Sequence, residues 1–195
     1  MSVVVEALEI PEVKIIRTAR FEDERGFFSE TYNKAAFHAA GITLDFVQDN
    51  HAMSAVAGTV RGLHFQSEPF PQNKLVRVVR GRILDVAVDI RRGSPTYGRH
   101  VAAALSAAEW NQILVPVGFT HGLCTLEPDT EVVYKVDNGY ARECDLGLLW
   151  NDPDLGIDWP VDVGAAVVSE KDRQQPRLRD LPAYFHYSGG ANSTR

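Results

Sequence analysis

"LVRVVRGRILDVAVDIRRGSP", residues 75–95, is the stretch that decides the fold. Its second half sets Leu84, Val86, Val88 and Ile90 against Asp85, Ala87 and Asp89, and an alternation of period two predicts a β-strand with one buried face. "RGR", residues 80–82, reads as a hairpin turn joining that strand to the one before it. Similar short runs lie on both sides: "GTVRGLHFQ" (58–66), "RHVAAAL" (99–105), "QILVPVG" (112–118), "THGLCTL" (120–126) and "TEVVYKVDN" (130–138) each predict a further strand. Only two short helices suggest themselves. "NKAAFHAAG" (33–41) offers Asn33 as N-cap and Gly41 as stop, and "SAAEW" (106–110) gives Ser106 and Glu109 the spacing of a capping box.

Many short strands with Gly/Pro turns and few helices make an all-β protein, and at this length a jelly roll is the natural closed form. There is no internal repeat, low-complexity tract or linker, so residues 1–187 read as one domain and 188–195, rich in Gly, Ser and Asn, as a flexible tail. A chain of 195 residues that is 45% apolar can build a full core. Its net charge of −6 argues against a general nucleic-acid or membrane-surface binder, which needs a basic footprint. An anionic ligand must therefore be met by a local cluster of Arg and Lys. Cys124 and Cys144 are far apart and form no C-x-x-C pair, which fits a reducing compartment. The first residues lack a positive n-region, and no apolar stretch approaches the ~18 residues of a membrane span, so a soluble cytoplasmic protein is expected.

In a regular strand Val60, Gly62, His64 and Gln66 share one face, as do Lys74, Val76 and Val78, and as do Val132, Tyr134 and Val136. If those faces line one barrel, His64, Lys74 and Tyr134 converge on an apolar cavity, the usual design of a small-molecule site. Taken singly, each has an ordinary structural role: a bonded core histidine, a solvated lysine, a rim tyrosine. A base, a cation and a phenol in one dry pocket are costly together unless used. Arg61 and His64 would face opposite sides of an unbroken strand, so bringing both to one ligand needs a bulge, which Gly62 would tolerate; a plain turn glycine is the alternative.

"DERGFFSETYN", "QDNHAMS", "GTVRGLHFQ", "NKLVRVVRGRILDVAVDIR", "SPTYG", "VPVGFTHGL", "EVVYKV", "LLWNDPDLGIDWP" and "SEKD" occur in this order between about residues 20 and 185. Together they resemble the dTDP-4-dehydrorhamnose 3,5-epimerase family. The resemblance implies a cupin-like double-stranded β-helix jelly roll, a homodimer, and inversion at C3 and C5 of a dTDP-4-keto-6-deoxyhexose. By position it implies that His64 is the catalytic base with Asp172 as its carboxylate partner, that Lys74 lies near the C4 oxygen, and that Tyr134 is the proton donor. Arg25, Glu30, Gln48, Asn50, Arg61, His121 and Lys171 match positions that bind the nucleotide sugar, and Tyr140 one that stacks on thymine.

The implied chemistry explains the residue types. A C–H beside a ketone is acidified because its carbanion delocalises onto oxygen, so the site must supply a base and stabilise an oxyanion. A free imidazole titrates near about 6.5, which suits a general base at neutral pH. A paired carboxylate fixes its tautomer, and an ammonium aimed at the C4 oxygen acts as an oxyanion-hole donor. Inversion needs a proton from the opposite face, and a phenol within a polar network is expected to release one more readily than a free phenol. Arg25, Arg61 and Lys171 are the candidates to hold the diphosphate.

Many cupin-like barrels hold a metal with a His-x-His pair; here residue 66 is Gln, so neither metal nor cofactor is expected. In "NGYARECDLGLLW", residues 138–150, either Glu143 or Asp145 can take the acidic substrate contact. Epimerases acting at C3 or C5 alone, and a non-catalytic nucleotide-sugar-binding cupin, remain the alternatives at this level.

Overall fold

A computed structural model describes residues 2–189. In chain order the strands are β1 (Val3–Ala7), β2 (Lys14–Thr18), β3 (Phe21–Asp23), β4 (Gly26–Phe28), β5 (Gln48–Ser54), β6 (Thr59–Gln66), β7 (Lys74–Arg80), β8 (Arg82–Asp89), β9 (Arg91–Arg92), β10 (His100–Ser106), β11 (Asn111–Val115), β12 (Phe119–Thr125), β13 (Thr130–Val136), β14 (Asp145–Gly147), β15 (Val167–Val168) and β16 (Phe185–His186). The two short α-helices are α1 (Lys34–Ala39) and α2 (Glu170–Arg173). Most of the expected tail, from residue 190 on, lies outside the described residues.

One sheet runs β1-β2-β11-β7-β13-β5 and the other β10-β8-β12-β6-β14, with β15 added in parallel to β6. This is the jelly roll expected from the strand texture. The core lies between the sheets, where Val76, Ile83, Leu105, Ile113, Phe119 and Val132 meet. Each such side chain contributes about 1.5–3 kcal/mol on burial. The outer faces are covered as well: Phe37 of α1 with Ile42 over Ile16, Leu75 and Leu114, and the C-terminal segment with Leu148, Leu155, Leu181 and Phe185 over Leu63, Phe65, Val86 and Val88.

Three local expectations are corrected. "RGR" is not a hairpin, because β7 pairs with β11 and β13 while β8 pairs with β10 and β12. Gly81, at φ +80, is the corner where the chain leaves one sheet for the other. Next, β8 buries both faces: Ile83 and Ala87 face the inter-sheet core, Val86 and Val88 the outer cover, and Asp85 and Asp89 are fully buried. Polar residues in the alternation therefore mark a second buried face, not a solvated one. Finally, "SAAEW" forms a turn rather than a helix. The Glu109 N–H donates to Ser106 Oγ at 3.0 Å, half of the capping box, but Trp110 has φ +53 and the chain enters β11 at once. The second helix is instead α2, whose N-cap Ser169 accepts from the Asp172 N–H. α1 follows its sequence signals, with Asn33 accepting from the Ala36 N–H and Gly41 just beyond the helix end.

The bulge expected at Gly62 is present. His121 stands opposite His64 and Leu123 opposite Arg61, so three steps along β6 match two along β12. The extra residue reverses the phase of the strand. Arg61 and His64 both reach the interior, while Val60, expected on the face of His64, packs outside with Cys124, Trp150 and Ala166. Gly62 holds φ +118, and a Cβ there would come within 2.7 Å of both Gly122 Cα and His121 O. Neither obstacle is a flexible side-chain tip. Gly62→Ala is therefore expected to cost about 2–4 kcal/mol by urea denaturation. A loss under ~0.5 kcal/mol would show that the bulge tolerates any residue.

Candidate functional site

The interior opens at one end into a cavity of about 250 Å³ lined by Ala52, Ser54, Arg61, His64, Lys74, Val76, His121, Leu123, Val132 and Tyr134. Five strands contribute to it, two residues each. His64 and His121 stand on the second sheet, and Lys74 and Tyr134 on the first. The convergence expected from face alternation is thus found, on rigid elements.

His64 Nε2 lies 2.6 Å from Asp172 Oδ1. The other carboxylate oxygen of Asp172 accepts the Gly62 N–H at 3.2 Å, so the bulge and the dyad support each other. Burial works to raise the Asp172 pKa, but hydrogen bonding and charge from His64, with the Gly62 N–H and Ser169, hold it below the ordinary carboxylate value. Asp172 is thus a buried, ionised acceptor, the form that orients an imidazole and stabilises its cation.

Lys74 Nζ donates to the His64 carbonyl at 3.2 Å. The side chain is half-buried at the cavity wall. Desolvation pulls its pKa down to about 8, against the opposing pull of Asp145 and Asp85. Tyr134 departs from expectation: burial raises its pKa, Asp145 adds to the rise, and Arg61 only partly offsets it. At neutral pH Tyr134 rests as a loaded phenol. It remains able to protonate an enolate carbon, a far stronger base than phenolate.

Arg61 is at the cavity wall, its Nε donating to Ser54 Oγ at 3.0 Å and its Nη2 to the Met53 carbonyl at 2.9 Å. His121 is buried against Asp85, its Nε2 at 3.0 and 2.9 Å from the two carboxylate oxygens. In the sequence Asp85 is only one of the polar residues of an alternating strand. The missed signal is that a central strand covered on both faces has no solvated side for a carboxylate.

Four further candidates, Gln48, Asn50, Tyr140 and Lys171, are linked in a rim. Gln48 and Asn50 occupy the β5 face that carries Ala52 and Ser54 deeper in, and Gln48 donates to Asn50 at 2.8 Å. Gln48 Oε1 accepts the Tyr140 N–H, the Tyr140 hydroxyl donates to Asp145 Oδ2 at 3.0 Å, and Lys171 Nζ meets the same oxygen at 2.5 Å. Of the two acids left open, Asp145 is half-buried with its charge felt at Lys74, whereas Glu143 is exposed. Gln66, standing where a metal-binding barrel has its second His, is 4% exposed. It donates to the carbonyls of Phe70 and Gly139 and accepts the Ala141 N–H, tying two mouth loops together.

Two candidates are not brought in. Arg25 lies in the β3–β4 hairpin, paired to Asp23 at 2.5 Å with its side chain 84% exposed. Glu30 accepts from the N-cap Asn33 at 2.9 Å.

Comparison with known proteins bears on this geometry. Residues 7–180 match the family described as dTDP-4-dehydrorhamnose 3,5-epimerase. The chain is 52% identical over 182 residues to the dTDP-4-dehydrorhamnose 3,5-epimerase of Sinorhizobium fredii, covering 93% of each chain. A crystal structure of the Bacillus anthracis dTDP-4-dehydrorhamnose 3,5-epimerase with TDP and PPi bound superposes with TM-score 0.87 at 47% identity, over 90% of this chain and 99% of that one. The Legionella pneumophila dTDP-6-deoxy-D-glucose-3,5-epimerase in complex with dTDP-4-keto-L-rhamnose gives TM-score 0.90 at 39% identity, over 95% and 98%.

Proposed function

This chain belongs to the dTDP-4-dehydrorhamnose 3,5-epimerase family, and from that premise we propose how its cavity divides the work of the reaction. The enzyme is an isomerase that inverts C3 and C5 of dTDP-4-keto-6-deoxy-D-glucose to give dTDP-4-dehydro-L-rhamnose. His64 removes the proton beside the C4 ketone, and Asp172 keeps its ring oriented and balances the imidazolium as it forms. Lys74 gives its ammonium to the developing enolate oxygen. Tyr134, on the opposite sheet, returns a proton to the other face of the carbon, which inverts it. The observation that carries this reading is the 2.6 Å His64–Asp172 pair on one wall of a cavity whose other wall presents Lys74 and Tyr134.

The nucleotide end lies at the rim. Arg61 and Lys171 meet the diphosphate, Tyr140 stacks on the base, and Gln48, Asn50, His121 and Asp145 bond the nucleotide sugar. Residues 1–187 act as one epimerase domain, without metal or cofactor. The protein works as a homodimer: Phe21, Phe27 and Phe28 stand 56%, 56% and 65% exposed on the hairpin that holds Arg25, which supports a partner subunit against that surface. In that arrangement Arg25 and Glu30 serve the nucleotide of the partner. Two free, buried cysteines suit a reducing cytoplasm, and among the described residues no helix is long and apolar enough to cross a membrane.

Incubation with dTDP-4-keto-6-deoxy-D-glucose in D₂O tests the reading. Deuterium at both C3 and C5, read by NMR, is the expected result. Label at one carbon would make the protein a monoepimerase, and label at neither a binding module.

A further inference from the structure

The cavity wall carries a second imidazole–carboxylate pair, and of its two members only His121 has a role above; Asp85 has none. Asp85 is fully buried on β8, and His121, 9% exposed on β12, is its hydrogen-bond partner through both carboxylate oxygens. A carboxylate taken out of water is expensive even when paired, and a well-packed apolar residue at that position would cost less. The two histidines are direct partners in the β6–β12 ladder, side by side on the wall that faces Lys74 and Tyr134.

The inventory of donors and acceptors fixes what His121 can do. Lys74 and Arg61 only donate. Ser54 Oγ already accepts from Arg61, Tyr134 is the acid, and the free nitrogen of His64 is the base. A sugar hydroxyl in this cavity must place its hydrogen on an acceptor; besides the second lone pair of Ser54 Oγ, the lining offers the ring of His121, which is held by a buried carboxylate. The ring can accept only if Nε2 carries its proton toward Asp85, leaving a lone pair on Nδ1.

We propose that Asp85 is a positioning residue that locks His121 in the tautomer with Nε2 protonated, so that Nδ1 accepts from a ring hydroxyl of the sugar and sets the ring's orientation over His64. This deepens the proposed function and rests on its reading of the cavity as the sugar site. Asp85→Asn reverses the tautomer, because the new amide donates to Nε2 and drives the proton to Nδ1. A donor then faces the hydroxyl.

The tests are nitrogen NMR of the histidine side chains and calorimetric binding of dTDP-glucose with its 2-deoxy and 3-deoxy analogues. In the wild type, the His121 signal should report Nε2 protonation; Nδ1 protonation overturns the proposal without any variant. Asp85→Asn should move the proton to Nδ1 and weaken dTDP-glucose about tenfold. One of the deoxy analogues should bind both proteins alike. Equal weakening of every ligand would mean a merely structural role and would sink the idea. In a His121→Gln background, whose amide carries its own acceptor, adding Asp85→Asn should cost no more than about twofold; full additivity would also overturn it. Loss of deuterium labelling at a single carbon in His121→Gln would instead make His121 a second carbon base. Failure of the wild type to label either carbon would refute the epimerase reading while leaving the tautomer and binding measurements intact.

Discussion

His64→Ala is expected to lower deuterium exchange at both C3 and C5 by about 10²- to 10⁴-fold, while affinity for dTDP-glucose stays within about tenfold of wild type. In the proposed mechanism His64 acts on carbon, not on the nucleotide. Arg61, Tyr140 and Lys171 lie elsewhere around the cavity, and their contacts with Ser54, Gln48 and Asp145 do not pass through His64. Alanine has a second effect, since it leaves Asp172 buried without its imidazole. His64→Gln, whose amide can still donate to Asp172, separates the two. Both variants should lose exchange alike, but alanine should unfold at lower urea. Exchange retained in both would remove His64 from the role of base, and affinity lost with exchange in both would mean that the ring holds substrate.

Much of the fold was legible in the sequence, because strand burial repeats every second residue wherever one face meets the core. β7 and β13 therefore turn Lys74 and Val76, and Val132 and Tyr134, to the interior as alternation places them, while β6 does so only with its phase reset at Gly62. What alternation does not carry is strand partnership. Residues 80–82 look like a hairpin because a tight turn and a sheet-to-sheet corner use the same glycine conformation; only the surroundings of Gly81 separate them. "SAAEW" misleads for a related reason. Ser106 caps the Glu109 N–H in a turn as it would in a helix, and the tight return to β11 leaves no room for a second helical turn.

The candidate site was partly legible in the same way. His64, Lys74 and Tyr134 each sit on a predictable face, and the family resemblance supplied Asp172, which no periodicity would have placed 2.6 Å from His64 across 108 residues of chain. Asp85 was not legible as a site residue. Its alternation with apolar neighbours is what a half-exposed strand would show, and the cover that buries its other face comes from residues beyond Leu148. Tyr134 lies on the expected face but not with the expected ionisation: a polar network favours the phenolate only if cations outweigh burial, and here Arg61 does not outweigh it.

Lys74 gives the second large effect. Lys74→Met is expected to reduce kcat/KM by about 10²- to 10³-fold, the ~2.7–4 kcal/mol of a lost oxyanion donor. Wild-type activity should decline as pH rises through about 8, because the ammonium, its pKa drawn down to about 8 by desolvation, is the active form. Lys74→Arg keeps its charge, so that decline should vanish even though absolute activity is lower; a limb unchanged in Lys74→Arg would assign it to another group. Stability should move the other way. Below about 8 the folded and unfolded chains both hold this proton, and the full cost of burying an ammonium is present. Above it the folded chain gives up the proton first, the unfolded chain binds more protons until about pH 10.4, and wild-type stability gains from this group. Lys74→Met should therefore be more stable than wild type at pH 7, with an advantage that shrinks as pH climbs past about 8. A methionine variant that is less active but no more stable would mean that the ammonium is solvated in the resting enzyme, and it would remove the physical basis for the lowered pKa and for the alkaline limb together.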